Sequence, residues 1–208
     1  MTGSTWFRYP IIYTLLVTSL LSISFRAQAT EDEARLFIQD ISDQALSVIR
    51  SETTSDGIKE QQLTDLFMSA VDTPWIGRFV MGRSWKGLSA EQQTHYTALF
   101  QQFLIRQYVP QFRRYNNNYY SILKVIPEDH NRYTVYSSVS NPDGVSLSIN
   151  YKLHPMPDGN YKIYDVVAEG VSLLNTHRSE FASIVTHEGS EALINMLEQK
   201  VQLAVSEK

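Results

Sequence analysis

An α+β fold is predicted: one domain in which helices pack on one face of a curved antiparallel sheet, a meander. Three observations predict it. Through the first half of the chain apolar residues recur at steps of three and four, the period of a helix. From Tyr119 to Val167 the chain reads as strand-like runs, in which apolar residues tend to recur at every second position. The strand-like runs are joined by "NPDG" (141–144) and "MPDGN" (156–160), turn signals that connect antiparallel neighbours. The chain has 208 residues and no cysteine, repeat or long linker, so one domain without disulfides or thiolate chemistry follows.

Each element can be justified in order. Residues 1–29 combine an early positive charge at Arg8, an apolar run from Ile11 to Phe25, and Ala27 and Ala29 around Gln28. That is the layout of a secretory signal peptide cleaved after Ala29, leaving a domain over residues 30–208. The run is shorter and more hydroxyl-rich than a bilayer-spanning helix requires. Losing Arg8 and Arg26 and no acid takes the formal charge from -4 to -6. A mildly acidic chain without a basic cluster is poorly suited to nucleic acid, and none is expected as a partner.

The first mature helix runs from Glu31 to Ser51, with Ala34, Ile38, Ile41, Ala45 and Val48 or Ile49 on one face. "SETTSDG" breaks it, and a second helix starts near Asp56 as N-cap, with Leu63, Leu66, Phe67 and Ala70 on one side. "VDTPW" offers a cap at Asp72 or Thr73 with Pro74 in the first turn of a short third helix. Ser89 and Gln92 form a capping box for a long helix carrying Tyr96, Leu99, Phe100, Phe103, Leu104 and Tyr108, which Pro110 kinks or ends. Gly77, Gly82 and Gly87 read as packing or terminating glycines. "YYSILKVIP" and "RYTVYSSVS" are strands. "VSLSINYKLH" places Val145, Leu147, Ile149, Tyr151 and Leu153 on one face, within a meander over Arg132–Val167. Two helices close the chain, the first capped by Asn175 or Thr176, with Gly189 and Ser190 between them.

Sites of chemistry are sparse. The five histidines, His95, His130, His154, His177 and His187, lack metal-ligand spacing and read as surface or capping residues; no metal or cofactor is expected. Phosphate-loop, dinucleotide and nucleophile-elbow motifs are absent. Asp165 shares strand parity with Tyr161, Ile163 and Val167. It suits either a general base in a cone-shaped small-molecule enzyme or a partly exposed ion pair. Glu169 and Gly170 interrupt an apolar strand. A bulge there would bend the strand and aim Glu169 at a cleft rim, a basic residue or a backbone amide, with direct ligand contact as the alternative. The apolar and aromatic residues on both strand faces fit a packed core and a lined cavity equally well.

Two longer stretches resemble a known family. "WIGRFVMGRSWKGLSAEQQTHYTALFQQFLIRQY", Trp75–Tyr108, is similar to the segment of the MlaC or toluene-tolerance auxiliary family in which a short helix precedes a capped "xEQxxxYxxxF" helix. "YDVVAEGVSLLNTHRSEFASIV", Tyr164–Val185, resembles the family's "Y-D-[hydrophobic]-x-x-E-G-V-S". "GRFVMGRSW" looks somewhat closer to a hopanoid-associated branch, and Pro110 with "RRYNNNYY" departs from the pattern.

The resemblance implies a periplasmic phospholipid carrier that moves lipid between outer and inner membranes and helps maintain outer-membrane lipid asymmetry. It implies as partners an outer-membrane lipoprotein complex and the substrate-binding subunit of an inner-membrane ABC transporter. A hopanoid or other apolar lipid is the alternative cargo. Such a carrier works as a monomer, makes and breaks no bond, and needs no catalytic residue; bound phospholipid is cargo. Shielding a tail is worth about 0.8 kcal/mol per methylene, on the order of 10 kcal/mol per chain, which calls for a deep apolar cavity. Its expected lining is Phe103, Leu104 and Tyr108 from the long helix, Tyr133, Val135, Leu147, Ile149 and Tyr151 from the sheet, and Val167 and Val171 beyond it.

Overall fold

In the computed structural model, which describes residues 30–115 and 117–206, the order of elements is four helices, five strands and two helices. The expected leader, residues 1–29, lies outside the described residues. Helix α1 spans Glu31–Arg50 and is started by a capping box: the Thr30 hydroxyl accepts from the Glu33 amide, and the Glu33 carboxylate accepts from the Thr30 amide. Helix α2 spans Asp56–Ala70; Asp56 is its first residue, and Ser55 occupies the cap position. In α3, Thr73–Met81, the Asp72 carboxylate accepts from the Trp75 amide at 3.1 Å and Pro74 sits in the first turn. Gly82, at φ 62°, ends that helix, and a 3-10 stretch over Gly82–Gly87 leads to α4, Ala90–Phe112, with the Ser89–Gln92 box at its start. Pro110 does not stop α4 at once; the helix runs on to Phe112 before tightening into a 3-10 turn over Arg113–Tyr115.

Strands β1 (Tyr119–Glu128), β2 (Arg132–Ser140), β3 (Ser146–Pro155), β4 (Tyr161–Ala168) and β5 (Val171–Ser172) form one sheet in chain order, every neighbouring pair antiparallel. The register sets one inner face: Tyr133 opposite Leu153, Val135 opposite Tyr151, Ser137 opposite Ile149 and Val139 opposite Leu147. Val145, expected on that face, precedes β3 and is 69% exposed.

A register shift between Lys152 and Leu153 leaves Tyr164 as an extra residue on β4. This bulge overturns the parity read from the sequence. Ile163 and Val166 stay with the inner face, while Asp165 pairs with Lys152 and Val167 with Asn150 on the other. Glu169 and Gly170 are no bulge but the two central residues of the β4–β5 hairpin, at φ 48° and 82°, the left-handed pair that a tight turn of this hand demands. The Glu169 carboxylate accepts from the Ser148 amide, and the Glu169 amide donates to the Ser148 carbonyl.

Two cores result. In one, α1 lies across the inner face of the sheet, burying Ala34 and Ile38 against Tyr133, Val135, Leu153, Tyr161 and Ile163. In the other, α3, α4, α5 (Leu173–Glu188) and α6 (Ser190–Ser206) enclose Tyr96, Phe100, Phe103, Phe181, Leu193 and Leu197, and Tyr164 joins them from β4. Gly77 admits this packing: a Cβ there would stand 2.9 Å from the Phe100 ring, and the Gly77 carbonyl accepts the buried Tyr96 hydroxyl at 3.0 Å.

Candidate functional site

The α1–sheet layer is sealed at one end and half open at the other. Toward Glu31, Ala34 and Ile38 are fully buried. From Gln39 to Arg50 no residue of α1 is buried, although Ile41, Ala45, Val48 and Ile49 continue its apolar stripe. The sheet mirrors this gradient. Tyr133, Val135 and Leu153 are buried, whereas Tyr120, Ile122, Val139, Leu147, Ile149 and Tyr151 on the same face are half covered. Around that end Tyr119, Val145 and Val171 are 67%, 69% and 57% exposed. Apolar surface is thus left under-used on both sides of one layer, which is how a slot for an apolar ligand differs from a finished core.

A cavity opens beside this end. Its volume is about 790 Å³, and it is lined by Ile49, Arg50, Ser51, Glu52 and Thr54 after α1, by Asp56 and Lys59 of α2, and by Asn117, Tyr119 and Pro142. A recess of about 190 Å³ shares Ile49, Asp56 and Lys59 and adds Leu63 and Arg113. The mouth is polar and cross-tied. The Lys59 ammonium donates to the Ile49 carbonyl at 3.2 Å, and Arg50 donates to the Asn118 carbonyl at 2.8 Å. Arg113 donates to the Asp56 carbonyl at 2.8 Å and lies 3.5 and 3.7 Å from the Asp56 and Glu60 carboxylates. A water-facing polar rim in front of a half-covered apolar layer suits an amphiphile, its polar end outside and its apolar end within.

Under α1 the inner face also carries hydroxyls. Tyr120 faces Ser42 and Ser137; burial pushes its phenol pKa up, and those two hydroxyls pull it partly back. Burial likewise raises the Tyr151 phenol, reinforced by Tyr120 and Tyr115 nearby. The Ser137 hydroxyl donates to the Ile149 carbonyl.

The structure brings together only part of the lining expected from sequence. Tyr133, Val135, Leu147, Ile149 and Tyr151 share the inner face. Phe103, Leu104 and Tyr108 do not face it, because α4 packs on α2, α3 and α6, and its aromatic stripe meets Phe181 and His177 of α5. Val167 lies on the opposite sheet face, and Val171 is exposed on β5. None of the ten lines the large cavity. The half-covered end of α1 was visible as an apolar stripe in the sequence; its incomplete partner was not.

Asp165 has a structural task. The residue is 5% exposed, and its carboxylate accepts the Ser172 hydroxyl at 2.8 Å and the Leu174 amide at 3.1 Å, while Ser172 in turn caps the Asn175 amide. The cap of α5 is therefore Ser172, not Asn175 or Thr176. His177, expected at the surface, is buried beneath Phe103 and Phe181 with Nε2 2.7 Å from the Tyr108 hydroxyl. Burial holds its pKa below the ordinary imidazole value, and burial with nearby Glu180 raises Tyr108 to about 12. Among the described residues no cluster of three or more acidic, histidine or cysteine side chains is placed to hold a metal ion, and no helix is long and apolar enough to cross a membrane.

The family model described as MlaC protein matches residues 39–199. The chain belongs to the MlaC family. A relative within it, the intermembrane phospholipid transport system binding protein MlaC of Haemophilus influenzae, is 23% identical over 201 residues, covering 93% of this chain and 92% of that protein. Among solved structures, the phospholipid-binding protein of Ralstonia solanacearum in complex with a phospholipid superposes with a TM-score of 0.72 at 24% identity, over 83% of this chain and 99% of that one. At that identity the latter likeness is one of fold.

Proposed function

We propose that this chain binds phospholipid and carries it between the outer and inner membranes, helping to keep the outer membrane asymmetric, without catalysing a reaction. The observation that carries the proposal is the half-open end of the α1–sheet layer beside a cavity of about 790 Å³, within the size range of ligand pockets. Acyl chains enter between the C-terminal half of α1 and the face bearing Leu147, Ile149 and Tyr151. The headgroup stays at the polar mouth near Lys59 and Arg50. The two relatives support this reading, one named for intermembrane phospholipid transport and one solved with a phospholipid.

The remaining parts follow from the same reading. The apolar segment of residues 1–29 directs the chain to the periplasm and is removed after Ala29, so that Thr30, the cap of α1, becomes the first residue. An outer-membrane lipoprotein complex supplies the lipid, and the substrate-binding subunit of an ABC transporter takes it. The hydrogen bonds that both Asp165 oxygens accept in holding β4 to α5 favour the carrier over the enzyme alternative.

Transfer between vesicles tests the proposal. Fluorescent phospholipid in donor vesicles should reach acceptor vesicles at a rate proportional to protein concentration, and a rate equal to the protein-free control would overturn it.

A further inference from the structure

On α3, Trp75, Arg78 and Phe79 stand at helical steps of three and four and share one side of the helix. Trp75 is 37% exposed, and its ring stacks on Phe79 with centroids 5.2 Å apart. Arg178 of α5 lies 4.5 Å over the Phe79 ring and is held there by donating to the Phe79 carbonyl. Residues 73–90 carry Arg78, Arg83 and Lys86 and no acid, in a chain whose acids outnumber its lysines and arginines 22 to 18. All three cations are exposed, and none has a side-chain partner among the described residues. Arg83 and Lys86 are one 3-10 turn apart and extend the charge along one side of the stretch that follows α3. The preceding acid, Asp72, is occupied: one carboxylate oxygen caps α3 and the other meets His154 at 2.9 Å. The patch ends beyond Tyr164, edge-on to Trp75, where Glu128 and Arg132 stand near the Tyr164 phenol and offset one another.

The chain path sets this face far from the polar mouth. Helix α2 runs from the cavity at Asp56 to Ala70, and Val71 then bridges to Ile163 at the sealed end. Helix α4 returns from Ala90 to Phe112, and Arg113 meets Asp56 again. The segment between, which carries the cations, joins the two remote ends. With 23 residues in α4 and a rise of ~1.5 Å each, that places it on the order of 30 Å from the mouth.

We propose that the face bearing Trp75, Arg78 and Arg178 docks on an anionic lipid surface and holds the mouth turned away from it. An exposed indole beside unpaired guanidinium groups suits the headgroup zone, where tryptophan rings settle and each basic residue gains from anionic lipid. Exposed charges are screened beyond about 8 Å at physiological ionic strength, so an approaching surface meets this face and not the negative total of the chain. A protein partner would call for an anchor pocket or a free strand edge, and neither cavity reaches residues 73–90. The docked chain stays at the membrane while its mouth remains open to solvent. This inference stands on the α3 face alone and does not need the carrier reading.

Co-sedimentation of the chain purified from periplasm with vesicles of phosphatidylcholine, and of an equimolar mixture with phosphatidylglycerol, tests this. The wild type should bind the mixed vesicles about tenfold more tightly and lose that difference at high salt. Arg78→Gln combined with Arg83→Gln, both at exposed side chains, should weaken binding to the mixed vesicles by about tenfold while melting at the wild-type temperature. Equal partition of the wild type into both vesicles overturns the docking and leaves an acidic protein as the occupant of this face. Binding that survives in the double variant also overturns it. Transfer of fluorescent lipid between phosphatidylcholine vesicles should be the same for both proteins, and its failure in both overturns the carrier reading alone.

Discussion

The Asp165 carboxylate grips the start of α5 through two donors, the Ser172 hydroxyl at 2.8 Å and the Leu174 amide at 3.1 Å, and so fastens β4 to the helix that follows the hairpin. The "YDVVAEGVS" stretch becomes intelligible in these terms. Tyr164 bulges into the helical core, Asp165 and Ser172 cap α5, and Glu-Gly makes the turn that lets them meet. Asp165→Asn turns an amide toward a donor and should lower stability by about 1–3 kcal/mol, read from urea unfolding. An unchanged midpoint would remove Asp165 from this role.

Gly170 is needed for its backbone. At φ 82° a β-branched side chain is disfavoured, so Gly170→Val should cost about 1–2 kcal/mol, while Gly170→Asn, which tolerates this region, should cost less. Equal stability of the two variants by thermal melting would contradict the turn assignment.

Gly77 and Gly87 make a matched pair. A Cβ at Gly77 would meet the Phe100 ring at 2.9 Å inside the helical core, whereas one at Gly87 meets nothing within 4 Å. Gly77→Ala should therefore destabilise by about 1–3 kcal/mol and Gly87→Ala by less than about 0.5 kcal/mol in the same denaturation assay.

His177 predicts a pH dependence. Burial depresses its native pKa below 6.5, with Glu180 acting weakly in the opposite sense, so the unfolded chain binds the proton more readily. Its contribution to stability is complete above about pH 6.5 and is lost as pH falls through the lowered native value. Melting temperatures measured from pH 7.5 to 5 should fall for the wild type, and this part of the slope should vanish in His177→Gln.

Periodicity and cap chemistry made most elements legible: α1, the Asp72 and Ser89 caps, the break at Gly189 and the strands all follow from local pattern. The partners of an apolar face did not follow. The apolar stripe of Phe103 and Leu104 suits one wall of a cavity, but a stripe does not say what it packs on, and Phe181 and His177 from α5 claim it. The bulge at Tyr164 was equally hidden, since an extra strand residue leaves no mark in alternation until the neighbouring strand is known. That Leu147, Ile149 and Tyr151 share one sheet face was accessible because they alternate strictly.

Native mass spectrometry of the chain purified from periplasm tests the central claim most directly. The account predicts a non-covalent adduct of phospholipid mass on the intact protein, lost on organic extraction. A bare chain that also fails to take up fluorescent phospholipid would contradict it.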